Sequence, residues 1–316
     1  MIRCSVAAGE RADPYVGSAP PARRWLLLEH PGPWRIDAVA GAGLEAEQLH
    51  ALTTRADATR TRILLIRRPG RTPAAAVRRW FLVAPGSATS TGSWSAETGA
   101  GEALQALGSS PRPASTPTDP VILVCAHGVH DACCAITGRP VAAALAQRWP
   151  DQVWECSHVG GDRFAPNVVL LPDGFYYGGL DPAGAVETIA EHLAGRVTTA
   201  NLRGMARFPP AHQAAAVAAF ARYGPLPADA IAVTGARHEG HYGAVDSRTY
   251  VDLRVQGVPG DVRAEVVARP RPPAQLTCRA SRPTTATEYQ VERLGQKTEL
   301  AAPSADSAGD RRIAGS

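Results

Sequence analysis

The chain has 316 residues, enough for two or three domains, and its 45% hydrophobic and 20% charged residues are typical of a globular protein. The net charge of +4 comes almost entirely from arginine, and the arginine pairs lack interleaved aromatic residues, so the composition disfavours a nucleic-acid partner. No window approaches the roughly 18 uninterrupted apolar residues of a membrane helix, and the N-terminus lacks a signal-peptide pattern. We therefore expect a cytoplasmic protein with no membrane partner.

Residues 1–115 are predicted to form an N-terminal α/β region. Three apolar runs, RRWLLLEH, RTRILLIRR and RRWFLVAPG, have the pattern of strands. Between the first two runs, Leu44, Leu49 and Leu52 suit the apolar face of a short helix. A cluster of Pro, Ser and Thr from 108 to 120 then interrupts the periodicity and indicates a linker or a domain boundary.

Residues 116–200 are predicted to form a compact domain with the order strand, helix, strand, hairpin, helix. The run VILVCAHG is continuously apolar, as in a strand buried on both faces. Pro140 suits the first turn of the helix that follows. QVWEC predicts a further strand, NVVLLPDGFYYGG predicts a hairpin, and Asp181 before a proline suits the N-cap of the last helix.

Residues 201–280 are predicted to form a small C-terminal α+β unit, with an Ala-rich helix at AHQAAAVAAFARYG and strands at TYVDLRV and RAEVVARP. Residues 281–316 are polar and poor in aromatic side chains, so we expect a disordered tail there. The predicted fold class is therefore α/β, with a small α+β unit after the main domain.

Ligand-type side chains are concentrated in two loops of the 116–200 region. Because neighbouring parallel strands end at the same edge of a sheet, we expect these loops to meet. Thiolates and imidazoles favour zinc, copper(I) or an iron-sulfur cluster. The candidates are Cys125, His127, His130, Cys133 and Cys134 in the first loop, and Cys156, His158 and Asp162 in the second.

Several of these residues also have a purely structural interpretation. Cys125 and Cys156 fit small core positions, because free cysteine is among the most buried residue types. His127 and His130 are better explained as polar loop residues, or as residues that support a ligand, than as ligands themselves. His158 keeps the ligand interpretation because two glycines and an acidic residue lie close to it in sequence.

The motif CAHGVHDACCAITGRP, followed by WECSHVGGDRFAPNVVLLPDGFYYGGLDP, resembles the sucrase/ferredoxin-like family. The resemblance extends to the N-terminal region through RRWLLLEHPGPW and LLIRRPGR, and covers residues 4–200. It implies a thioredoxin-like ferredoxin domain that binds a 2Fe-2S cluster, located here at residues 116–200.

The resemblance also implies which residues hold the cluster. In thioredoxin-like ferredoxins, the ligands are a cysteine after the first strand, a second cysteine later in that loop, and a C-x3-C pair before a hairpin. Cys125 matches the first position, and Cys134 matches the second with Cys133 as its rival. The pair falls on His158 and Asp162. Eukaryotic relatives carry His-x3-His there, so Asp162 departs from the pattern.

The departure at Asp162 leaves two roles open for this residue. A carboxylate is a harder ligand than thiolate or imidazole, but it can still bind iron. It can instead accept the free ring N–H of a ligating histidine and so fix the orientation of that ring. In the second case, Cys156 or a non-protein ligand would complete the set.

Three functions are compatible with these residues. An electron-transfer or redox-sensing iron-sulfur protein is favoured, with electrons supplied by an unknown external reductase. The alternative is a structural zinc module that uses Cys125, Cys134, Cys156 and His158. A thiol enzyme that cycles Cys133 and Cys134 is disfavoured, because adjacent cysteines close only a strained ring.

Other activities lack support in the sequence. Sucrose hydrolysis would need two carboxylates across a sugar cleft, and no such pair is evident. Neither a Walker-type loop nor a G-x-G-x-x-G motif follows a strand, so an internal flavin or nicotinamide site is not predicted. Cys4 and Cys278 are distant from both loops in sequence, and we expect them only to pack.

Overall fold

The computed structural model describes residues 2–70, 77–95, 97–114, 119–240 and 247–300. In these ranges the helices are α1 (Cys4–Glu10), α2 (Ala46–Ala58), α3 (Gly101–Gly108), α4 (Ala132–Arg148), α5 (Pro182–Leu193) and α6 (Pro210–Tyr223). The strands are β1 (Arg24–Glu29), β2 (Thr61–Arg67), β3 (Arg78–Val83), β4 (Ser90–Trp94), β5 (Val121–Cys125), β6 (Val153–Cys156), β7 (Asn167–Leu171), β8 (Phe175–Gly178), β9 (Leu202–Met205), β10 (Ile231–Glu239), β11 (Arg248–Val255), β12 (Asp261–Pro270) and β13 (Thr287–Gln296).

The large sheet has the strand order β4-β3-β1-β2-β6-β5-β7-β8-β9 and contains two units of the same topology. In the first unit, β1 is parallel to β2 and antiparallel to β3, which pairs with β4. In the second unit, β5 is parallel to β6 and antiparallel to β7, which pairs with β8. Each unit follows the chain order β-α-β-β-β-α. This is the topology of a thioredoxin-like domain, and it confirms the predicted α/β class.

The two units are joined by antiparallel pairing of β2 with β6. Arg67 forms an ion pair with Glu155 across this junction, with 2.7 Å between Nη2 and Oε2. From the other end of β2, the guanidinium of Arg62 donates to the backbone oxygen of His158 at 3.1 Å. The boundary predicted after residue 115 lies outside the described residues, and the units on either side of it share one sheet. The first unit contacts the second candidate loop directly.

Helix α4 begins at Ala132, eight residues before Pro140, which was predicted to lie in the first turn of the helix. The side chain of Asp131 caps the helix by accepting the backbone N–H of Cys133 at 2.9 Å. Pro140 consequently lies inside the helix, where it cannot donate to the carbonyl of Ile136. The early start places Cys133 and Cys134 in the first turn of α4.

The C-terminal unit is a four-stranded antiparallel sheet, β10-β11-β12-β13, packed against α6. Helix α6 and strands β11 and β12 confirm the predicted elements. The disordered tail predicted for 281–316 is wrong for β13, which pairs with β12 along its length. Tyr289 and Leu294 pack against the core, while Glu292 forms ion pairs with arginines of neighbouring strands. Only one face of this edge strand is apolar, which explains its polar composition; residues 301–316 lie outside the described ranges.

Two layers of core enclose the strands of the second unit. Helices α4 and α5 pack against each other, and their apolar residues join one cluster with those of α6. The opposite face of the sheet buries Leu123, Trp154 and Tyr176 together with the N-terminal residues Cys4 and Ala19. Among the described residues, no helix combines the length and the hydropathy needed to cross a lipid bilayer.

Candidate metal centre

The two predicted loops meet at one edge of the second unit. Parallel β5 and β6 end side by side, with Cys125 in register with Cys156. Cys125 is the last residue of β5, and Cys134 lies in the first turn of α4. His158 follows β6 by two residues, and Asp162 opens a short 3-10 helix. The fold thus brings the four predicted ligand positions together.

We call Cys125, Cys134, His158 and Asp162 the Cys/His group. The thiol of Cys134 lies 3.3 Å from Oδ1 of Asp162, and Nδ1 of His158 lies 2.9 Å from the same oxygen. Cys125 is close enough to Cys134 and His158 for both side chains to lower the pKa of its thiol. Both thiols and the carboxylate are buried, whereas the side chain of His158 is 28% exposed to solvent.

Contacts within the Cys/His group shift the pKa values of its members. Burial alone would lower the pKa of His158, but the Asp162 carboxylate and the Cys125 thiol outweigh it and raise that pKa to about 9. The Asp162 pKa lies below its usual value because His158 outweighs the effect of burial. A hydrogen bond from Cys134 lowers the pKa of Cys125 and raises that of Cys134. These shifts favour the ionised forms of Cys125 and Asp162 and the protonated form of His158.

Two buried polar atoms of the Cys/His group have no aligned hydrogen-bond partner among the described residues, namely Nδ1 of His158 and Oδ2 of Asp162. The 2.9 Å approach of His158 Nδ1 to Asp162 is an ion-pair contact without hydrogen-bond alignment. Buried polar atoms normally have partners, so both atoms are positioned to bind a ligand. Two sulfurs, one ring nitrogen and one carboxylate oxygen form a donor set that fits iron or zinc.

His130 lies on the Cys/His group, although the sequence favoured a loop role for it. Its ring stacks on that of His158 with 3.8 Å between centroids, and its Nε2 lies 3.8 Å from Oδ2 of Asp162. His127 has a supporting role. Its Nδ1 accepts the backbone N–H of His158, so its Nε2 carries the proton donated to the Arg35 carbonyl at 2.8 Å. His127 therefore fixes the position of the second loop.

Cys156 is buried in the core beside the Cys/His group. It alternates with Trp154 on β6, and burial raises the pKa of its thiol. Among the described residues, three or more ligand atoms lie within 4.8 Å of one another in two groups, His130 with His158 and Asp162, and Cys4 with Asp131, Cys133 and Cys278. Cys125, Cys134 and Cys156 belong to neither group, so the zinc site with Cys156 that the sequence kept open stays a prediction.

Arg203 holds the second loop in place and was not found from the sequence. Its buried guanidinium donates to the Gly160 carbonyl at 2.9 Å, to Oδ1 of Asn167 at 2.6 Å, and to both oxygens of Ser18. Burial lowers its pKa to about 10. Gly161 has a φ of +77°, and a Cβ there would lie 2.3 Å from Nη2 of Arg203, so this position requires glycine. Neither the hydrophobic periodicity nor the residue spacing of the sequence indicates a buried arginine within a short strand.

The adjacent cysteines of α4 face different surroundings. Whereas Cys134 faces Asp162, the sulfur of Cys133 lies 3.7 Å from that of Cys4 and 3.4 Å from that of Cys278. Cys134 is therefore the one of the two cysteines that contacts a member of the Cys/His group. Cys4 and Cys278 were expected only to pack, and the structure instead places them in a second cluster of ligand-type residues.

A known protein family and a solved structure are similar to parts of this chain. The model of the sucrase/ferredoxin-like family matches residues 15–204, a range that contains the whole Cys/His group. Among solved structures, a cysteine-to-serine variant of the thioredoxin-like [2Fe-2S] ferredoxin from Aquifex aeolicus is 21% identical, with a TM-score of 0.24. That match covers 27% of this chain and 97% of the ferredoxin. No curated protein matches the chain.

Proposed function

Because this chain belongs to the sucrase/ferredoxin-like family, we propose that it is an iron-sulfur redox protein with a 2Fe-2S cluster in the Cys/His group. One observation supports this proposal most directly. Side chains from two loops meet at a buried position, where Nδ1 of His158 and Oδ2 of Asp162 have no hydrogen-bond partner within the part of the chain that the structure describes. Thiolate and imidazole are the ligand types found on iron in such clusters.

The ligands fall into two pairs, which is the arrangement that a two-iron cluster needs. Cys134 lowers the pKa of the Cys125 thiol, and these two sulfurs would hold one iron. His158 and Asp162 lie 2.9 Å apart and would hold the other. His130 is the rival for the fourth position because its Nε2 lies 3.8 Å from the free Oδ2 of Asp162. When bound, the cluster would accept and release one electron.

The protein residues around the group would control access to it. The two thiols are fully buried, whereas the side chains of His130 and His158 keep 31% and 28% of their exposure. An external redox partner would therefore approach from the histidine side. His127 and Arg203 would keep the second loop fixed during electron transfer, because both bind backbone atoms of that loop. We propose the role of an electron carrier or redox sensor and not that of a stand-alone enzyme.

The proposal is tested by purifying the full chain under anaerobic conditions. We expect a brown protein that contains iron and acid-labile sulfide in equal amounts, and an electron paramagnetic resonance signal after reduction by dithionite. Cys125→Ser should lose the iron and the colour. The matched control is Cys156→Ala, which alters a buried cysteine outside the group and should keep both.

Two results would contradict the proposed cluster. One is a colourless protein without iron after anaerobic purification and after reconstitution with iron and sulfide. The other is stoichiometric zinc that Cys125→Ser removes, which would show a zinc site in the Cys/His group.

A further inference from the structure

A second set of ligand-type side chains lies beside the first turn of α4. We call Cys4, Asp131, Cys133 and Cys278 the Cys/Asp group. Cys4 opens α1, Asp131 caps α4, and Cys278 lies in the connection between β12 and β13. The group joins parts of the chain that are 274 residues apart, and none of its members belongs to the Cys/His group.

The spacing of the Cys/Asp group is that of a tetrahedral thiolate site. Its three sulfurs form a triangle with sides of 3.4 Å (Cys133 to Cys278), 3.5 Å (Cys4 to Cys278) and 3.7 Å (Cys4 to Cys133). Oδ2 of Asp131 lies 3.5 Å from the sulfur of Cys4. With a Zn–S bond of about 2.3 Å and a Zn–O bond of about 2.0 Å, a regular tetrahedron has S–S edges of about 3.8 Å and S–O edges of about 3.5 Å. The observed distances agree within a few tenths of an ångström.

Burial and charge also favour a cation at this position. Cys4, Cys133 and Asp131 are almost fully buried, and Cys278 is partly buried. Among the described residues, the hydrogen-bond partners of the Asp131 carboxylate are uncharged. They are the backbone N–H groups of Cys133 and Cys278, at 2.9 Å and 2.6 Å, and the thiol of Cys4. A buried carboxylate needs charge compensation, which these partners supply only in part. A divalent cation would supply the rest.

We propose that the Cys/Asp group binds a structural zinc ion. Three thiolates are soft ligands that suit zinc, and structural zinc sites have a closed tetrahedral shell in which cysteine is a common ligand and a carboxylate oxygen is also accepted. Asp131 would supply the fourth ligand through Oδ2. The thiols would lose their protons to solvent on binding, while the N–H of Cys4 supports the sulfur of Cys278 at 3.4 Å.

The zinc ion would connect two segments that are distant in sequence to the helix turn beside the Cys/His group. It would tie α1 and the β12–β13 connection to the first turn of α4, which also carries Cys134. Because Cys133 and Cys134 are consecutive, the zinc would hold in place the turn that presents Cys134 to Asp162. The role is structural, and it does not depend on which metal or cluster the Cys/His group contains.

The experiment measures zinc, iron and sulfide in the full-length protein and its variants by elemental analysis. We expect one zinc per chain in the wild type. Cys4→Ser and Cys278→Ser should lose at least nine-tenths of that zinc and keep the iron of the Cys/His group, while Cys156→Ala should lose neither. Failure of the proposed function would instead appear as missing iron with zinc retained, so the two proposals fail separately.

Cobalt(II) titration of the metal-free wild type provides a second test that needs no variant to fold. We expect visible ligand-field bands of tetrahedral intensity and a sulfur-to-cobalt charge-transfer band, both displaced by added zinc. The charge-transfer band should weaken in Cys278→Ser, whose side chain is the most exposed of the group.

Three results would overturn the zinc site. The first is a wild type that neither contains zinc nor binds cobalt(II) in this way. The second is zinc that persists in Cys278→Ser and disappears in Cys125→Ser. The third is a disulfide between two of the three cysteines in the protein as isolated under anaerobic conditions, shown by mass spectrometry.

Discussion

The thiol of Cys134 lies 3.3 Å from Oδ1 of Asp162, and this contact joins the first turn of α4 to the loop that follows β6. Successive helical residues differ in direction by about 100°, since a turn has 3.6 residues. The preceding residue, Cys133, therefore faces away from Asp162 and towards Cys278. One helical turn thus presents thiols to two separate groups.

Exchange of each adjacent cysteine for serine should separate these two groups. Cys134→Ser removes a proposed cluster ligand, so we expect the purified protein to lose nearly all of its iron and sulfide. Cys133→Ser should keep both and lose zinc, because its sulfur contacts Cys4 and Cys278 instead. Iron, sulfide and zinc analysis of the two variants checks this. The opposite pattern would show that the orientation of the pair has been misassigned.

The Asp162→His variant should raise the reduction potential of the proposed cluster. With two cysteines, one histidine and one carboxylate, the wild type should lie between about −400 mV, typical of four-cysteine clusters, and about −150 mV, where two-histidine centres begin. A neutral imidazole in place of the carboxylate removes one negative charge and eases reduction, so the variant should exceed about −150 mV. Protein-film voltammetry measures both values.

His130→Ala serves as the control for the fourth ligand. If Asp162 binds iron, this variant should keep the cluster and change its potential little. Loss of the cluster in His130→Ala, together with an unchanged potential in Asp162→His, would assign the fourth position to His130.

Metal-free protein should become less stable at alkaline pH through His158. The pKa of His158 is about 9 in the folded chain, above the value of about 6.5 for a free histidine. The native state therefore binds this proton more tightly, and the resulting stability is fully present below pH of about 6.5 and lost as pH rises through about 9. We expect the free energy of unfolding to fall by about 1–3 kcal/mol over that window. Urea unfolding between pH 6 and 10 measures it.

The corresponding control is metal-free His158→Ala, in which the decline between these pH values should be much smaller. An equal decline in both proteins would assign the effect to other groups. Asp162 acts at the opposite end of the pH scale. Because its pKa is lowered in the folded chain, its contribution is present above pH of about 4 and is lost as pH falls further.

Arg203→Lys should loosen the second loop. The guanidinium donates hydrogen bonds to Gly160, Asn167 and Ser18 at the same time, and a single ammonium group cannot reach all of these acceptors. Leaving two buried acceptors unsatisfied costs about 1–3 kcal/mol each, so we expect the free energy of unfolding to fall by about 3 kcal/mol. Iron should also be lost faster to a chelator. Urea unfolding and chelation kinetics measure the two effects.

Arg254→Lys is the matched control, because the Arg254 side chain is 61% exposed and forms a surface ion pair with Asp261. A change within about 0.5 kcal/mol is expected there. Similar losses in the two variants would show that Arg203 has no special role in the loop.

Continuous apolar runs were sufficient to predict the central strands, because residues buried on both faces leave an unambiguous pattern. RILLIR and VILVC became β2 and β5 for this reason. Strand β13 was missed because its apolar residues cover only one face of an edge strand. The start of α4 was missed because its cap, Asp131, lies among loop-like residues and the cysteines follow no helical period.

Spacing along the chain predicted the meeting of the two loops but could not predict the second cluster. Cys125, Cys134, His158 and Asp162 lie within one short region whose parallel strands fix their convergence. Cys4 and Cys278 are brought together only by tertiary packing of distant segments. Single-sequence patterns contain no information on such a contact.

The antiparallel junction of β2 with β6 joins two units of the same topology through the corresponding strand of each. Strands that pair in this way are related by a local two-fold rotation, and each belongs to a unit of the same topology. The two units therefore meet edge to edge through equivalent strands, and two strand edges that would otherwise be open to aggregation are closed. No cysteine lies between Cys4 and Cys125, so one half of this fused pair is thiol-free. The first unit is thus a covalently linked neighbour of the second unit, which contains the Cys/His group.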